Sequence, residues 1–341
     1  MGFFDKLLGR RSPPTLAATV QLEGHPVGVA FAAGDRKLGV LTGEGCLVVV
    51  DPRAGAAVSR TQAHAEGGLC LAVDASTARI ATGGMDGGVR VTDASSGATE
   101  REVSLAPGVW VEHLAWWDTS LVCAFGKRVC LLDTRGEVRV VGDHPSTVAG
   151  ISVVGDRLAV ARFGAADLWG LGPKVEGPTA LEWPSSLVSI AWSPDLRFLA
   201  AGCQDHALHF WRMPSRSDSM MGGYPSKPKV IAWSPSSAWL ASAGGPDVVV
   251  WSFAGQGPEG TTPLQLRAHT KNVSALEFSA DGKILVSGGR DGLVCVWAVG
   301  VEAPPMARFE VGGLIERVAI SEDGAWIAAA SSEGSIAIFR R

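Results

Sequence analysis

The chain has 341 residues, of which 46% are hydrophobic, 19% are charged and 43 residues are glycine. This composition is typical of a globular protein rich in turns. The formal net charge is −4, which gives no electrostatic case for nucleic acid or an anionic membrane as the main ligand, because both reward clustered Lys and Arg. We expect no nucleic-acid partner and no stable membrane insertion, since no run reaches the roughly 18 apolar residues of a membrane-spanning helix.

Residues 1–14 are predicted to form a flexible tail. Asp5 and Lys6 interrupt its apolar character, unlike the core of a signal peptide. If residues 1–11 were helical, four apolar side chains would lie on one side and would dock weakly on a partner or a membrane surface: Phe3, Phe4, Leu7 and Leu8. So short a helix is marginal in water, which favours a disordered tail.

Six cysteines lie in strand-like runs and form no Cys-x-x-Cys pair. They fit small buried hydrophobic residues better than zinc ligands or a disulfide framework. A reducing cytoplasm is the expected location.

A short pattern recurs along the chain with a period of about 40 residues. It is clearest between His269 and Trp297, where alternating apolar runs are separated by Gly/Asp turns. The third run of each unit ends at one of eight positions, which define the first to eighth units: Asp51, Asp93, Asp133, Trp169, Trp211, Trp251, Trp297 and Phe339. The repeat predicts an all-β fold, and specifically a β-propeller, because one blade cannot bury its own faces.

We expect residues 15–341 to form eight four-stranded blades, with seven as the alternative. The third and fourth units have the weakest pattern, and seven blades would result if one of them were an elaborated loop. The eighth unit lacks a fourth strand after Phe339. The run Leu16–Leu22 is expected to supply that strand, which would close the ring and remove an exposed sheet edge.

Four residues of the seventh unit resemble the polar signature of the WD-repeat (WD40) β-propeller family, bacterial type, and the resemblance covers most of the chain. It implies a structural tetrad in which Asp291 orients His269, Ser287 bridges, and Trp297 donates its indole N–H. Other units keep fragments of this tetrad: His64, Thr82, Asp86, Asp205, Trp211, Ser242 and Trp251. Such a network stabilises a blade and performs no chemistry.

The same resemblance implies a noncatalytic scaffold that binds protein partners through its loops. Candidate contact residues flank the turns and strand entries: Met85, Gln204, Lys271, Asn272 and Arg290. The irregular segment 212–229 adds residues suited to an adaptable or acidic contact: Met220, Met221, Tyr224, Lys227 and Lys229. An irregular fourth strand is the alternative interpretation of this segment. Together with residues 205–214 it also resembles a branch of bacterial WD-repeat proteins whose genes often neighbour CobW-type GTP-binding metallochaperones, so an accessory role to such a GTPase stays open.

No catalytic residue, cofactor site or metal site is predicted. The run Gly255–Gly260 fits G-x-G-x-x-G, but it contains a proline and precedes a strand, whereas a dinucleotide needs a helix N-terminus for its pyrophosphate. A small-ligand or quinoprotein-like propeller enzyme is the alternative class, although neither recurrent tryptophan-docking motifs nor channel-facing metal ligands can be placed. A propeller that binds a peptide in its central funnel is a third possibility.

Overall fold

Strands account for all of the regular secondary structure in the described part of the protein. The structure is a computed structural model, and it describes residues 13–32, 37–74 and 76–341. These residues form thirty strands and no helix, so the predicted all-β class is confirmed. Apart from Pro13 and Pro14, the predicted tail lies outside the described residues, and so does its predicted docking segment, residues 1–11.

Six sheets contain four antiparallel strands each. The first three are formed, in chain order, by β2 (Pro26–Phe31), β3 (Leu38–Thr42), β4 (Cys46–Asp51) and β5 (Ala56–Gln62); by β6 (Gly68–Val73), β7 (Arg79–Gly84), β8 (Gly88–Asp93) and β9 (Thr99–Ser104); and by β10 (Val111–Trp117), β11 (Ser120–Phe125), β12 (Arg128–Leu132) and β13 (Val138–Asp143). The later ones are formed by β20 (Val230–Trp233), β21 (Trp239–Ala243), β22 (Val248–Ser252) and β23 (Leu264–Leu266); by β24 (Val273–Phe278), β25 (Ile284–Gly289), β26 (Leu293–Ala298) and β27 (Ala307–Glu310); and by β28 (Ile315–Ile320), β29 (Trp326–Ser331) and β30 (Ser335–Arg340) with β1 (Thr15–Gln21).

The fourth and fifth units share one six-stranded sheet. Its strands are β14 (Gly150–Val154), β15 (Arg157–Gly170), β16 (Glu176–Trp192), β17 (Phe198–Cys203), β18 (Leu208–Arg212) and β19 (Asp218–Met221). The prediction of eight four-stranded blades is therefore wrong: the described residues form seven sheets, which was the alternative.

The physical reason lies in the two long strands. β15 has 14 residues and β16 has 17, and both stay extended where the repeat predicts a break. Phe163 pairs with Ser186 across this junction. The seventh unit has the turn Arg290-Asp291-Gly292 at the corresponding place, whereas the fourth unit has Phe163-Gly164-Ala165, which lacks the aspartate that forms the turn.

The first described strand closes the ring, as the sequence predicts. β1 pairs antiparallel with β30, with Thr19 opposite Ala337. Val20 is buried in a cluster with Ile336 and Ile338. This pairing covers the edge of the eighth unit that would otherwise be left open.

The innermost strands form the wall of a central channel. They are β2, β6, β10, β14, the second half of β16, β20, β24 and β28, and each contacts its neighbours around the ring. We call the end of the ring where these strands begin the entry face; the turns between second and third strands lie there too, because Val273 pairs with Gly289. The opposite end is the exit face. The described residues contain no helix that could span a membrane.

Candidate functional site

The seventh unit brings its four predicted tetrad residues into one network. His269 Nε2 lies 2.8 Å from Ser287 Oγ, and Trp297 Nε1 donates to the same oxygen over 2.8 Å. His269 Nδ1 lies 3.1 Å from Asp291 Oδ1. His269, Ser287 and Trp297 are buried, so each polar group depends on the others for a partner.

The second unit keeps three members of such a network. His64 Nδ1 lies 2.9 Å from Asp86 Oδ1, and its Nε2 lies 3.0 Å from Thr82 Oγ1. Burial lowers the pKa of His64, and the hydrogen bond to Asp86 opposes that shift in part. Thr92 stands at the tryptophan position.

The sixth unit contains a substitution that sequence reasoning missed. Tyr224, predicted as a surface contact, is buried, and its hydroxyl lies 2.6 Å from Ser242 Oγ. Trp251 Nε1 donates to the Tyr224 hydroxyl over 2.9 Å. The tyrosine therefore joins Ser242 and Trp251, and the prediction that it contacts a partner is wrong because its side chain is not accessible.

The fifth unit has no complete network. Trp211 is buried with its ring against His209, and His209 stacks on Trp183 with ring centroids 3.9 Å apart. Asp205 is exposed, and no hydrogen bond joins it to Trp211 within the described residues. Burial lowers the pKa of His209 to about 4, so this ring is neutral at pH 7.

A further buried network occurs in the fourth unit and was not predicted. His144 Nδ1 lies 2.7 Å from Asp167 Oδ2, and Arg162 donates two hydrogen bonds to the same carboxylate. These bonds hold the pKa of Asp167 below its usual range although burial opposes the shift. The sequence signal was His144, which stands before an innermost strand like His64 and His269.

The entry face opens into a funnel of about 740 Å³ that reaches from the fifth to the eighth unit. Its wall includes four of the predicted contact residues: Lys227, Lys229, Asn272 and Arg290. Arg317 and Glu316 line the same space. The funnel is thus lined by four cations and one carboxylate, although the whole chain is negative.

The four cations have no carboxylate partner among the described residues, whose ion pairs join other groups, such as Arg162 with Asp167 and Arg212 with Glu259. Lys227 Nζ donates to Gln204 Oε1 over 3.1 Å, and Arg317 donates to a backbone carbonyl. The surrounding protein lowers the pKa of Arg317 by desolvation, although the side chain keeps contact with water. An anion bound in the funnel would meet a net positive charge, because four cations there face the single carboxylate of Glu316.

The remaining predicted contact residues are dispersed. Lys271 is exposed beside Asn272, and Met85 is half-buried in a sheet that does not line the funnel. Met220 is 55% exposed and lies on the outermost strand β19, opposite His209. Met221 is buried in a cluster with Phe210 and Tyr224, so its predicted surface contact is wrong.

One carboxyl group in the channel wall breaks the repeat. Glu277 stands where the equivalent strands have small residues: Ala30, Ala72, Ala115, Ser152, Ala191, Ala232 and Ala319. Its Oε1 accepts the backbone N–H of Ile320 over 3.2 Å. Desolvation raises the pKa of Glu277 to about 8, and the bond from Ile320 opposes the shift. No group of three His, Cys, Asp or Glu side chains within the described ranges is placed to hold a metal ion.

Comparison with known proteins supports the resemblance at two places. The WD40 family model, described as "WD domain, G-beta repeat", matches residues 180–212 and 260–298. The two matches span 33 and 39 of the 341 residues. The second contains the complete network of His269, Ser287, Asp291 and Trp297.

This chain is similar to several curated proteins of eukaryotes. It is 29% identical over 146 residues to "Cell division cycle 20.1, cofactor of APC complex" of Arabidopsis thaliana, covering 41% of this chain and 31% of that protein. It is 26% identical over 234 residues to "B-type cell cycle switch protein ccs52A" of Medicago truncatula, covering 64% of this chain and 48% of that protein. The chain thus spans less than half the length of these relatives. The bacterial type and the link to a CobW-type GTPase stay predictions.

A solved structure shows the same fold. The computationally designed Ika8 protein has a TM-score of 0.78 and 18% sequence identity, covering 94% of this chain and 98% of that chain. At this sequence identity the likeness concerns the fold alone.

Proposed function

We propose that this protein is a noncatalytic, cytoplasmic scaffold that binds a protein partner on its entry face, and that WD40 repeats make up the whole ring. The observation that carries the proposal is the funnel, where Lys227, Lys229, Arg290 and Arg317 bring unpaired positive charge to one rigid opening. Buried networks fix the surrounding turns, so the surface is organised before a partner arrives.

The names of the relatives also support a noncatalytic function. One is named as a cofactor of the APC complex and another as a cell cycle switch protein, and neither name describes an enzyme. His64 and His269 have both ring nitrogens in structural hydrogen bonds, so neither offers a free nitrogen as a general base. Partner identity and pathway would then be set by the surface and not by chemistry in the channel.

Affinity capture from the source cells tests this function. A Lys229→Glu, Arg290→Glu variant reverses two exposed charges on the entry face. The matched control is Arg53→Glu, Arg135→Glu, which reverses two exposed charges in turns of the exit face. We expect quantitative mass spectrometry to show loss of specific partners with the first variant and retention with the control. Equal capture by both variants would remove the entry face as the binding surface.

A further inference from the structure

The exposed apolar side chains divide the surface into two regions. Seven large apolar residues are exposed among those the structure describes, and five of them lie on the outermost strands β1, β5, β13 and β19: Leu16, Val58, Val138, Val140 and Met220. Trp110 and Phe163 lie on the entry face instead, with 52% and 62% of their surface exposed. Trp110 and Phe163 are therefore the exposed large aromatic side chains on the described part of the entry face.

The strand register places both rings at the positions that line the funnel elsewhere. Trp110 directly precedes Val111, which is equivalent to Val273, so Trp110 corresponds to Asn272. Leu158 and Leu285 are equivalent, since they pair with Val153 and Phe278, and Phe163 and Arg290 each lie five residues further along the strand. The third and fourth units thus present aromatic rings where the seventh presents polar groups.

The two sets of residues face each other across the channel. From β10 the ring reaches β24 through β6, β2 and β28 in one direction, and through β14, β16 and β20 in the other. The third and fourth units therefore lie opposite the seventh and eighth. A ligand that crosses the opening would contact both sets.

The charges of the two sides differ as well. The funnel side carries Lys229, Arg290 and Arg317, which form no ion pair among the described residues. On the opposite side, Glu112 lies on β10, Lys127 lies in the turn after β11, and Arg162 is paired with Asp167. Burial raises the pKa of Glu112. An acidic ligand group is favoured on the funnel side, where four cations face the single carboxylate of Glu316.

We propose that the entry face binds an extended segment of its partner that carries anionic side chains at one end and a large apolar side chain at the other. This inference rests on the scaffold function proposed above. The anionic groups bind Lys229, Arg290 and Arg317, and arginine suits carboxylate or phosphate because its guanidinium donates two parallel hydrogen bonds. The apolar side chain packs on Trp110 and Phe163, since exposed tryptophan is the residue type most enriched among binding hot spots.

Selection from a displayed library of random peptides tests the chemistry without knowledge of the partner. The purified full-length chain is the target, and the probes synthesised afterwards are the enriched peptides. We expect enrichment of sequences that combine Asp or Glu with Leu, Phe or Trp. An absence of enriched peptides, or enrichment of basic ones, would overturn the proposal.

Two double variants then test the binding of the anionic end and of the apolar end of the peptide separately. Lys229→Glu with Arg290→Glu should weaken binding of the best peptide by about tenfold or more, and this loss should shrink when the peptide acids are replaced by amides. Trp110→Ser with Phe163→Ser should weaken binding by a similar factor, but should have little effect on a peptide whose apolar residues are replaced by serine. The control is Val138→Ser with Val140→Ser, which removes exposed apolar surface from an outermost strand.

Equal losses for the peptides with and without apolar residues would contradict the aromatic half of the proposal. A second peptide, with phosphoserine in place of Asp and Glu, is compared with the first. The peptide that binds more tightly shows whether the site prefers phosphate or carboxylate groups. If partner capture depends on the entry face but no acidic, apolar peptide binds, the scaffold function stands and the peptide inference fails. If peptides bind but no cellular partner is captured, the scaffold function fails.

Discussion

Tyr224 and Ser242 share a buried hydrogen bond of 2.6 Å between their hydroxyl oxygens. The two residues are 18 positions apart, as are His64 and Thr82 in the second unit and His269 and Ser287 in the seventh. The tyrosine therefore occupies the histidine position of the sixth unit. It fills the same role with one oxygen that both contacts Ser242 and accepts from Trp251.

Removal of that hydroxyl should destabilise the sixth unit. Tyr224→Phe keeps the ring but leaves the Trp251 indole N–H and the Ser242 hydroxyl without this partner, so we expect a loss of about 1–3 kcal/mol in the free energy of unfolding. Chemical denaturation measures the change. Ser242→Ala added to Tyr224→Phe should cost less than the sum of the single changes, and strict additivity would argue against a shared network.

The histidine of the seventh unit should matter more than that of the first. His269→Ala strands Asp291, Ser287 and Trp297 in a buried site and should lower stability by about 1–3 kcal/mol. His25 is the control, because 56% of its side chain is exposed and its contact is with Glu44. We expect His25→Ala to change stability by less than about 0.5 kcal/mol. Equal melting of the wild type and the His269 variant would contradict the structural role.

Strand periodicity could predict the all-β class and the closure by β1, and the WD-repeat resemblance implied the grouping of His269 with Ser287. Blade number could not be read from them, because the repeat is visible in eight units while β15 and β16 join two units into one sheet. Tyr224 was misjudged because residue type suggested a surface contact. Its 18-residue separation from Ser242 was the signal that would have placed it.

Other features of the site depend on how far each side chain is buried, and burial cannot be determined from the sequence alone. Trp110 and Phe163 belong to residue types that usually fill a core, and their exposure appears only when the strands are placed. Glu277 could have been found by aligning the units, since seven equivalent positions hold alanine or serine. Its raised pKa follows from desolvation and needs the structure.

Glu277 should make the free energy of unfolding decrease as the solution becomes alkaline. Its pKa rises from 4.5 to about 8 on folding, so the folded state holds a proton that the unfolded state has released. The protonated side chain therefore favours the folded state. Its contribution to the free energy of unfolding is fully present below pH 4.5 and is lost as the pH rises through about 8. We expect Glu277→Gln, whose amide oxygen still accepts from Ile320, to be more stable than the wild type by about 1–3 kcal/mol at pH 9 and nearly equal at pH 4.

Denaturation curves across this pH range measure the difference. Glu310→Gln, at an exposed position on the outermost strand of the same sheet, is the control and should show no such trend. A difference between the wild type and Glu277→Gln that stays constant with pH would contradict a raised pKa for this half-buried carboxyl group.

Loss of β1 should open the ring. A chain without residues 1–21 exposes the edge of β30 and removes Val20 from its cluster with Ile336 and Ile338. We expect a lower melting temperature and self-association in size-exclusion chromatography, because an unpaired edge strand is a template for pairing with another chain. A chain without residues 1–12 keeps β1 and should behave as the full chain does. Equal stability of the two truncations would contradict closure by β1.

Hydrogen–deuterium exchange on the complex with a captured partner tests the central claim most directly, because it locates the contact surface without a substitution. The account predicts protection on the entry face, at residues 226–230, 271–276, 290 and 316–318 around the funnel and at Trp110 and Phe163 across from it. Protection confined to the outermost strands β5, β9 and β13, with the funnel residues exchanging as in the free protein, would contradict it.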